Sequence, residues 1–217
     1  MSTGRRTSSV ATKQRLVDAA VEVIRLQGIT AVSARTVAAA ADVNQALIFY
    51  HFGSVDELVA QACIAATEDR VARYRARFAE VSTLGELLAL GREIHVGERA
   101  EGNMVVLAQT LAGAQAGGRL AEATRAALDK WIVEVRAALE RVLTGSPLAE
   151  VADPGALAHA VSASFLGLTM FESVDPEGGE QALEALGRLA ELVDVLEGLG
   201  PIATRAVRAK LRKNAKA

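Results

Sequence analysis

Residues 30–52 read Thr30-Ala-Val-Ser-Ala-Arg-Thr-Val-Ala-Ala-Ala-Ala-Asp-Val-Asn-Gln-Ala-Leu-Ile-Phe-Tyr-His-Phe52, and this stretch decides the fold class. Ser33 stands where an N-cap belongs, because its hydroxyl can accept from the backbone N–H groups that open a helix. A short helical segment follows through Ala41. Asp42-Val-Asn44 makes a turn, and Asn44 can cap a second short helix from Gln45 to Tyr50. Upstream, Val17, Ala20, Val21 and Ile24 fall at i, i+3, i+4 and i+7, one apolar helical face. Gly28 follows Gln27 where a left-handed residue would close that helix. Downstream, Gly53 breaks the run, and Ser54-Val-Asp-Glu57 forms a capping box that opens a long helix to about Phe78. Residues 28–50 therefore predict helix, turn, helix, with a helix on either side and no strand.

The remaining chain reads the same way. Further helices are expected at about 83–97, 101–115, 119–143, 154–174 and 179–197, separated by Ser82-Thr83, Gly117-Gly118, Gly145-Ser146-Pro147 and Asp175-Pro176 with Gly178-Gly179. Hydrophobic residues are 51% of the 217, yet aromatics are only 4% and prolines four, which favours packed helices over sheet. The prediction is an all-α chain. Its one cysteine, Cys63, has no partner for an intrachain disulfide. The longest charge-free window, Pro154 to Phe171, spans 18 residues but contains His159, Ser162, Ser164 and Thr169 and begins Pro-Gly. It is expected to be a buried helix of a soluble protein rather than a membrane span. Residues 1–12 hold Arg5 and Arg6 with no apolar stretch after them, so a cytoplasmic protein is expected, with no membrane partner.

Net charge is −2, but it is unevenly spread. Residues 1–53 carry six basic against three acidic side chains, 54–198 twelve against twenty-three, and 199–217 six against none. A basic head on an acidic body suits a chain whose head approaches a polyanion while the body orients it. The basic C-terminal tail, 201–217, reads either as a further contact or as a solvated end.

The stretch from Thr30 to Phe52, continued by Gly53-Ser-Val-Asp-Glu-Leu58 and preceded by the helix from Lys13 to Leu26, resembles the DNA-binding region of the TetR family of transcriptional regulators. The resemblance covers about 50 residues. It implies a helix-turn-helix domain at 1–53, an effector-binding and dimerisation domain at 54–200, a homodimer, and an operator of double-stranded DNA with near-palindromic sequence. Residue chemistry agrees. Asn44 and Gln45 carry amides suited to adenine or to phosphate, and Ala46 is small enough to let the helix press into a major groove. Leu47, Ile48 and Phe52 read as core. Tyr50 and His51 lie where the family contacts phosphate, and both can donate to its oxygens, although a solvated histidine at a helix end is the other reading. Ser33 and Arg35 open the first motif helix, where backbone N–H groups and a guanidinium can hold the DNA backbone. Arg5, Arg6 and Lys13 can add counterion-releasing contacts. Val55 replaces a frequent phosphate-binding lysine, and Gln45 and Phe49 stand where lysine and tyrosine are common, which predicts a shallower salt dependence. Asp42 replaces the usual turn glycine, tolerable because aspartate visits the left-handed region.

For the body, the family implies a small-molecule site among the middle helices. Its candidates here are His95, Asn103, Met104, Leu107, Trp131, Phe165 and Met170, all of which also suit plain core. Few are charged, so a mostly apolar ligand is expected. Leu157, Val161, Leu168 and Phe171 on one helix, with Ala182, Leu186, Leu189, Val193 and Leu196 on the next, form stripes that suit a four-helix interface between two chains or packing within one. A di-iron carboxylate enzyme needs Glu-x-x-His, yet Ile48, Arg92 and Ala156 precede the three histidines. Nucleotide, zinc-protease and serine-hydrolase motifs are missing, so no enzyme, metal or cofactor is expected. The expected function is a repressor released by a small ligand. A DNA-binding dimer without such an effector, controlled by a protein partner or by abundance, is the alternative.

Overall fold

Alanine- and leucine-rich segments with capped ends build helices throughout. A computed structural model describes residues 3–144, 146–150, 152–197, 205, 206 and 209, and among these there is no strand. The helices are α1 (Thr3–Gln27), α2 (Ala34–Ala40), α3 (Ala46–Phe52), α4 (Val55–Glu80), α5 (Leu84–Ala100), α6 (Asn103–Ala114), α7 (Gly118–Leu143), α8 (Pro154–Glu172) and α9 (Pro176–Glu197). The fold is all-α, as the residue pattern predicts. The C-terminal tail lies outside the described residues apart from Arg205, Ala206 and Ala209, and so do the side chains of Arg5 and Arg6.

The described residues fall into two compact units, one within Met1–Val71 and Glu98–Lys130, the other within Ala72–Gly97 and Trp131–Ala217. In the first, Leu16, Val17, Ala19, Ala20 and Val23 of α1 meet Val37, Ala38 and Ala41, Ile48 and Phe52 of α3, and Leu58 and Ala62 of α4 in one buried cluster. A smaller cluster joins Ile24, Val59, Cys63 and Val106. Burial pushes the Cys63 thiol up from its ordinary range. In the second unit, Phe78, Val81, Leu87, Leu90, Ile94, Val135, Ala138, Leu139, Val142 and Ala158 form the core, with Tyr74, Trp131 and Phe165 packed on it.

Three features of the sequence reading need correction. α1 begins at Thr3, ten residues before the expected start at Lys13, because Thr3 to Thr12 contain no proline and only one glycine to interrupt it. α9 begins at Pro176 and takes Gly178-Gly179 into its first turn. Proline suits a first helical position, and the Asp175 carboxylate accepts from the Gly178 N–H at 3.0 Å. These glycines do not break the helix. They let it close on α8, since a Cβ at Gly179 would stand 2.9 Å from Cβ of Glu172, and one at Gly178 would meet Phe171 at 2.9 Å.

The third correction concerns α8. It is long and apolar enough to span a membrane by length and composition, yet only Ala158, Leu168 and Thr169 are buried in it. Of the stripe that suits a second chain or packing within one, Leu157 and Val161 pack on the core of their own unit. The face left open carries Ala160, Ala163, Ser164 and Gly167 and ends in Met170, Phe171 and Val174.

Candidate nucleic-acid interface

The helix-turn-helix is held by caps at each joint. Ser33 and Thr36 form a reciprocal box: the Thr36 N–H donates to Ser33 Oγ at 3.2 Å, and the Ser33 N–H donates to Thr36 Oγ1 at 2.9 Å. Thr36 Oγ1 donates in turn to the Ala31 carbonyl at 2.8 Å, tying α2 to the turn before it. Asp42 takes φ 51°, the left-handed conformation expected of an aspartate that replaces glycine. Asn44 Oδ1 then accepts from the Ala46 N–H at 2.8 Å and starts α3. α3 runs two residues beyond the expected Tyr50, because Phe52 is buried and Gly53, at φ 78°, ends the helix with its N–H on the Phe49 carbonyl.

This geometry divides α3 into two faces. Ile48 and Phe52 are buried and Leu47 packs on the same core, as predicted. Gln45, Ala46, Phe49 and Tyr50 are exposed, Tyr50 to 79%. A tyrosine that far out of the core gains little from burial, so its ring and hydroxyl are free to meet a partner. Arg35 is exposed on α2, and Asn44 and Gln45, also exposed, precede the first turn of α3. Because the cap occupies the Asn44 oxygen, Gln45 is the residue whose amide can meet a base edge with both its donor and its acceptor. His51 is half-buried, with its ring 4.9 Å from that of Tyr50 and 6.4 Å from that of Phe52.

Several supporting contacts escaped the sequence reading. Lys13 Nζ lies 5.3 Å from the Phe52 ring centroid, a cation–π contact that brings a positive charge to the C-terminal end of α3. Gln109 of α6 accepts from the Ile29 N–H at 3.3 Å, and Gly28 at φ 85° leaves room for that amide. A lone glutamine in the apolar run of α6 was the available signal. Only half of the predicted box at Ser54 forms. Ser54 Oγ accepts from the Glu57 N–H at 3.1 Å, but the Glu57 carboxylate turns to Arg119 of α7 at 2.7 Å and to Gln61 at 2.9 Å. Arg119 holds the Glu57 carboxyl below its ordinary range.

The effector candidates scatter. Asn103, Met104 and Leu107 are half-buried in the first unit, and Asn103 donates to Glu98 at 3.0 Å and to Glu101 at 3.1 Å. Glu98 is 2% exposed and lies 3.6 Å from Arg70, a buried ion pair absent from the sequence reading. In the second unit His95 is 3% exposed and its Nε2 stands 2.5 Å from Glu172 Oε2. Its ring meets Phe165 edge-on at 5.6 Å, and Phe165 and Trp131 pack on one core, while Met170 is exposed. A separate open groove of about 580 Å³ runs between α5 and α9, lined by Leu88, Arg92, Val96, Leu183 and Leu186 among others and by none of the seven candidates. Among the described residues no cluster of histidine, cysteine and carboxylate side chains could hold a metal ion.

Among curated proteins, none matches the chain. Solved structures do. A TetR-family transcriptional regulator of Rhodococcus sp. aligns over 86% of this chain and 98% of its own, with a TM-score of 0.69 and 21% identity. A transcriptional regulator of Saccharomonospora viridis in complex with choline aligns over 84% and 96%, with a TM-score of 0.68 and 17% identity. The multidrug-binding protein EbrR, complexed with imidazole, aligns over 82% and 94%, with a TM-score of 0.61 and 27% identity. Residues 16–62 match the family model of bacterial regulatory proteins, tetR family, a span that holds the α1 core face, the Ser33 box, the Asp42 turn, all of α3 and the start of α4. Residues 16–62 thus match the tetR family of bacterial regulatory proteins, and along most of its length the chain shares the fold of a solved TetR-family transcriptional regulator.

Proposed function

We propose that the chain is a homodimeric, cytoplasmic repressor that reads operator DNA with α3 and is released by a small, mostly apolar ligand. One observation carries the DNA reading: α3 buries Ile48 and Phe52 while it exposes Gln45, Ala46 and Tyr50. In this reading Gln45 meets base edges, Ala46 lets the helix approach, and Asn44, Tyr50, His51, Ser33 and Arg35 engage the backbone. Residues 1–53 do the reading, 54–200 bind effector and dimerise, and the basic tail from 201 is left without an assigned role. The dimer surface is the open face of α8, Ala160, Ala163 and Gly167 through Phe171, with Leu186, Leu189 and Val195 of α9. Apolar surface of that extent on a water-exposed helix pair favours a second copy.

The relatives bound to choline and to imidazole support a small effector. α4 is unbroken from Val55 to Glu80 and contributes residues to both units, so it is the covalent route by which a ligand in the body would shift the head. A strong switch needs a ligand that favours the non-binding state by several kcal/mol.

Selection of bound duplexes from random-sequence DNA tests the proposal. The expected product is a near-palindrome whose half-sites lie about one helical turn, roughly 34–36 Å, or a multiple apart. If no duplex is retained even at low ionic strength, the proposal fails.

A further inference from the structure

α5 carries two apolar stripes. Leu87, Leu90 and Ile94 lie in the core, whereas Leu88, Arg92 and Val96, one helical turn apart, line the open groove of about 580 Å³ shared with α9. α9 supplies Leu183, Leu186 and Gly187 as the other wall, and both walls belong to the second unit. A space of that volume takes a drug-sized molecule, and aliphatic walls favour an apolar body in it. At Gly187 the wall lacks bulk that the backbone would tolerate, since a Cβ there would meet only Arg92 Nη2, at 3.7 Å.

Three charged side chains border the groove, and two are already engaged. Arg92 Nη2 donates to the Leu183 carbonyl at 3.1 Å and bridges the two helices. The Glu93 carboxylate accepts from Arg77 through both oxygens, at 2.8 Å each. Among the described residues Glu191 has no hydrogen-bond or ion-pair partner. The one uncommitted charge beside the apolar walls is therefore negative. A cation gains from it, whereas an anion meets the carboxylates of Glu93 and Glu191. We propose that the groove between α5 and α9 binds an apolar molecule carrying one protonated amine, with Leu88, Val96 and Leu183 against its body and the Glu191 carboxylate accepting from the ammonium. On the effector reading above, this is the place of the effector. Leu186 stands at the edge of this groove and also in the surface proposed for a second copy, so the test leaves it unaltered.

The full-length chain is titrated in a calorimeter at pH 7 with 6-phenylhexylamine, 6-phenylhexan-1-ol and 7-phenylheptanoate, which share one phenylhexyl body and differ in the charge at its end. The amine is expected to bind about fivefold tighter than the alcohol and at least about tenfold tighter than the carboxylate. In Glu191→Gln, an exposed and nearly isosteric change, the amine's preference over the alcohol shrinks to within about twofold. Gly187→Leu puts a side chain into the groove and weakens the amine at least about tenfold, while the melting temperature of the free chain holds or rises because leucine is the better helix former. No binding of the amine, equal affinity for the three probes, or an amine preference that survives Glu191→Gln would each overturn the site, as would unchanged binding in Gly187→Leu. Adding a selected duplex separates this inference from its parent. The expected binding pattern without release of DNA upholds the site and sinks the effector reading, whereas release that is indifferent to both substitutions does the reverse.

Discussion

The helix-turn-helix head and the α8–α9 pair use similar amounts of apolar sequence in opposite ways. In the head, Leu16, Ile24, Ile48 and Leu58 are fully buried within their own unit, and the residues left outside on α2 and α3 are Arg35, three alanines, Phe49 and Tyr50, the last two on the face proposed to meet DNA. In α8 and α9, Met170, Phe171, Val174, Leu186, Leu189 and Val195 remain exposed. A module that buries its own core needs no partner to fold. A helix pair that leaves large side chains in water gains stability only when something covers them.

The comparison can be broken from either side. Ile48→Ala removes a fully buried side chain from the head and should cost about 3 kcal/mol, read by urea unfolding of the head's residues. A loss under 1 kcal/mol would show that the α3 core is not closed. Phe171→Glu places a charge on the open face of α8 and should weaken self-association about 100-fold, near 2.7 kcal/mol, by sedimentation across a concentration series. Unchanged association would move the interface elsewhere. Gln45→Ala combined with Tyr50→Ala should weaken binding to the selected duplex by about 2 kcal/mol while leaving the melting temperature nearly unchanged, because both side chains are exposed. Gly179→Ala should lower stability by about 1 kcal/mol as Glu172 and α9 are pushed apart, visible as a modest fall in melting temperature. The smallest effect is chemical: Cys63, buried and with its thiol pushed up, should react with a thiol reagent far more slowly in the folded chain than in denaturant.

Legibility followed the range of the forces. Ser33, Asp42, Asn44 and Gly53 each act on backbone within about four residues, so their caps and turns could be read one by one. The buried and exposed sides of α3 were legible for the same reason, since a seven-residue helix has only two faces. The effector candidates were not. Asn103 pairs with Glu98, and the His95–Glu172 link spans 77 positions, so no local pattern announces it. Gly178-Gly179 misled because glycine's local meaning is a break, while its meaning here is close approach to α8.

The amino-acid order alone settled that the chain is helical, that a helix-turn-helix lies near its start, and which side of α3 is core. Those follow from hydrogen bonds and periodicity inside single turns. Only the folded arrangement decided that Lys13 sits over Phe52, that Glu57 turns from its own cap to Arg119, that Leu157 and Val161 face inward, and that one nitrogen of His95 is buried without a hydrogen-bond partner among the described residues. Each of these depends on a distant segment arriving at a given distance, and packing of whole helices sets that distance.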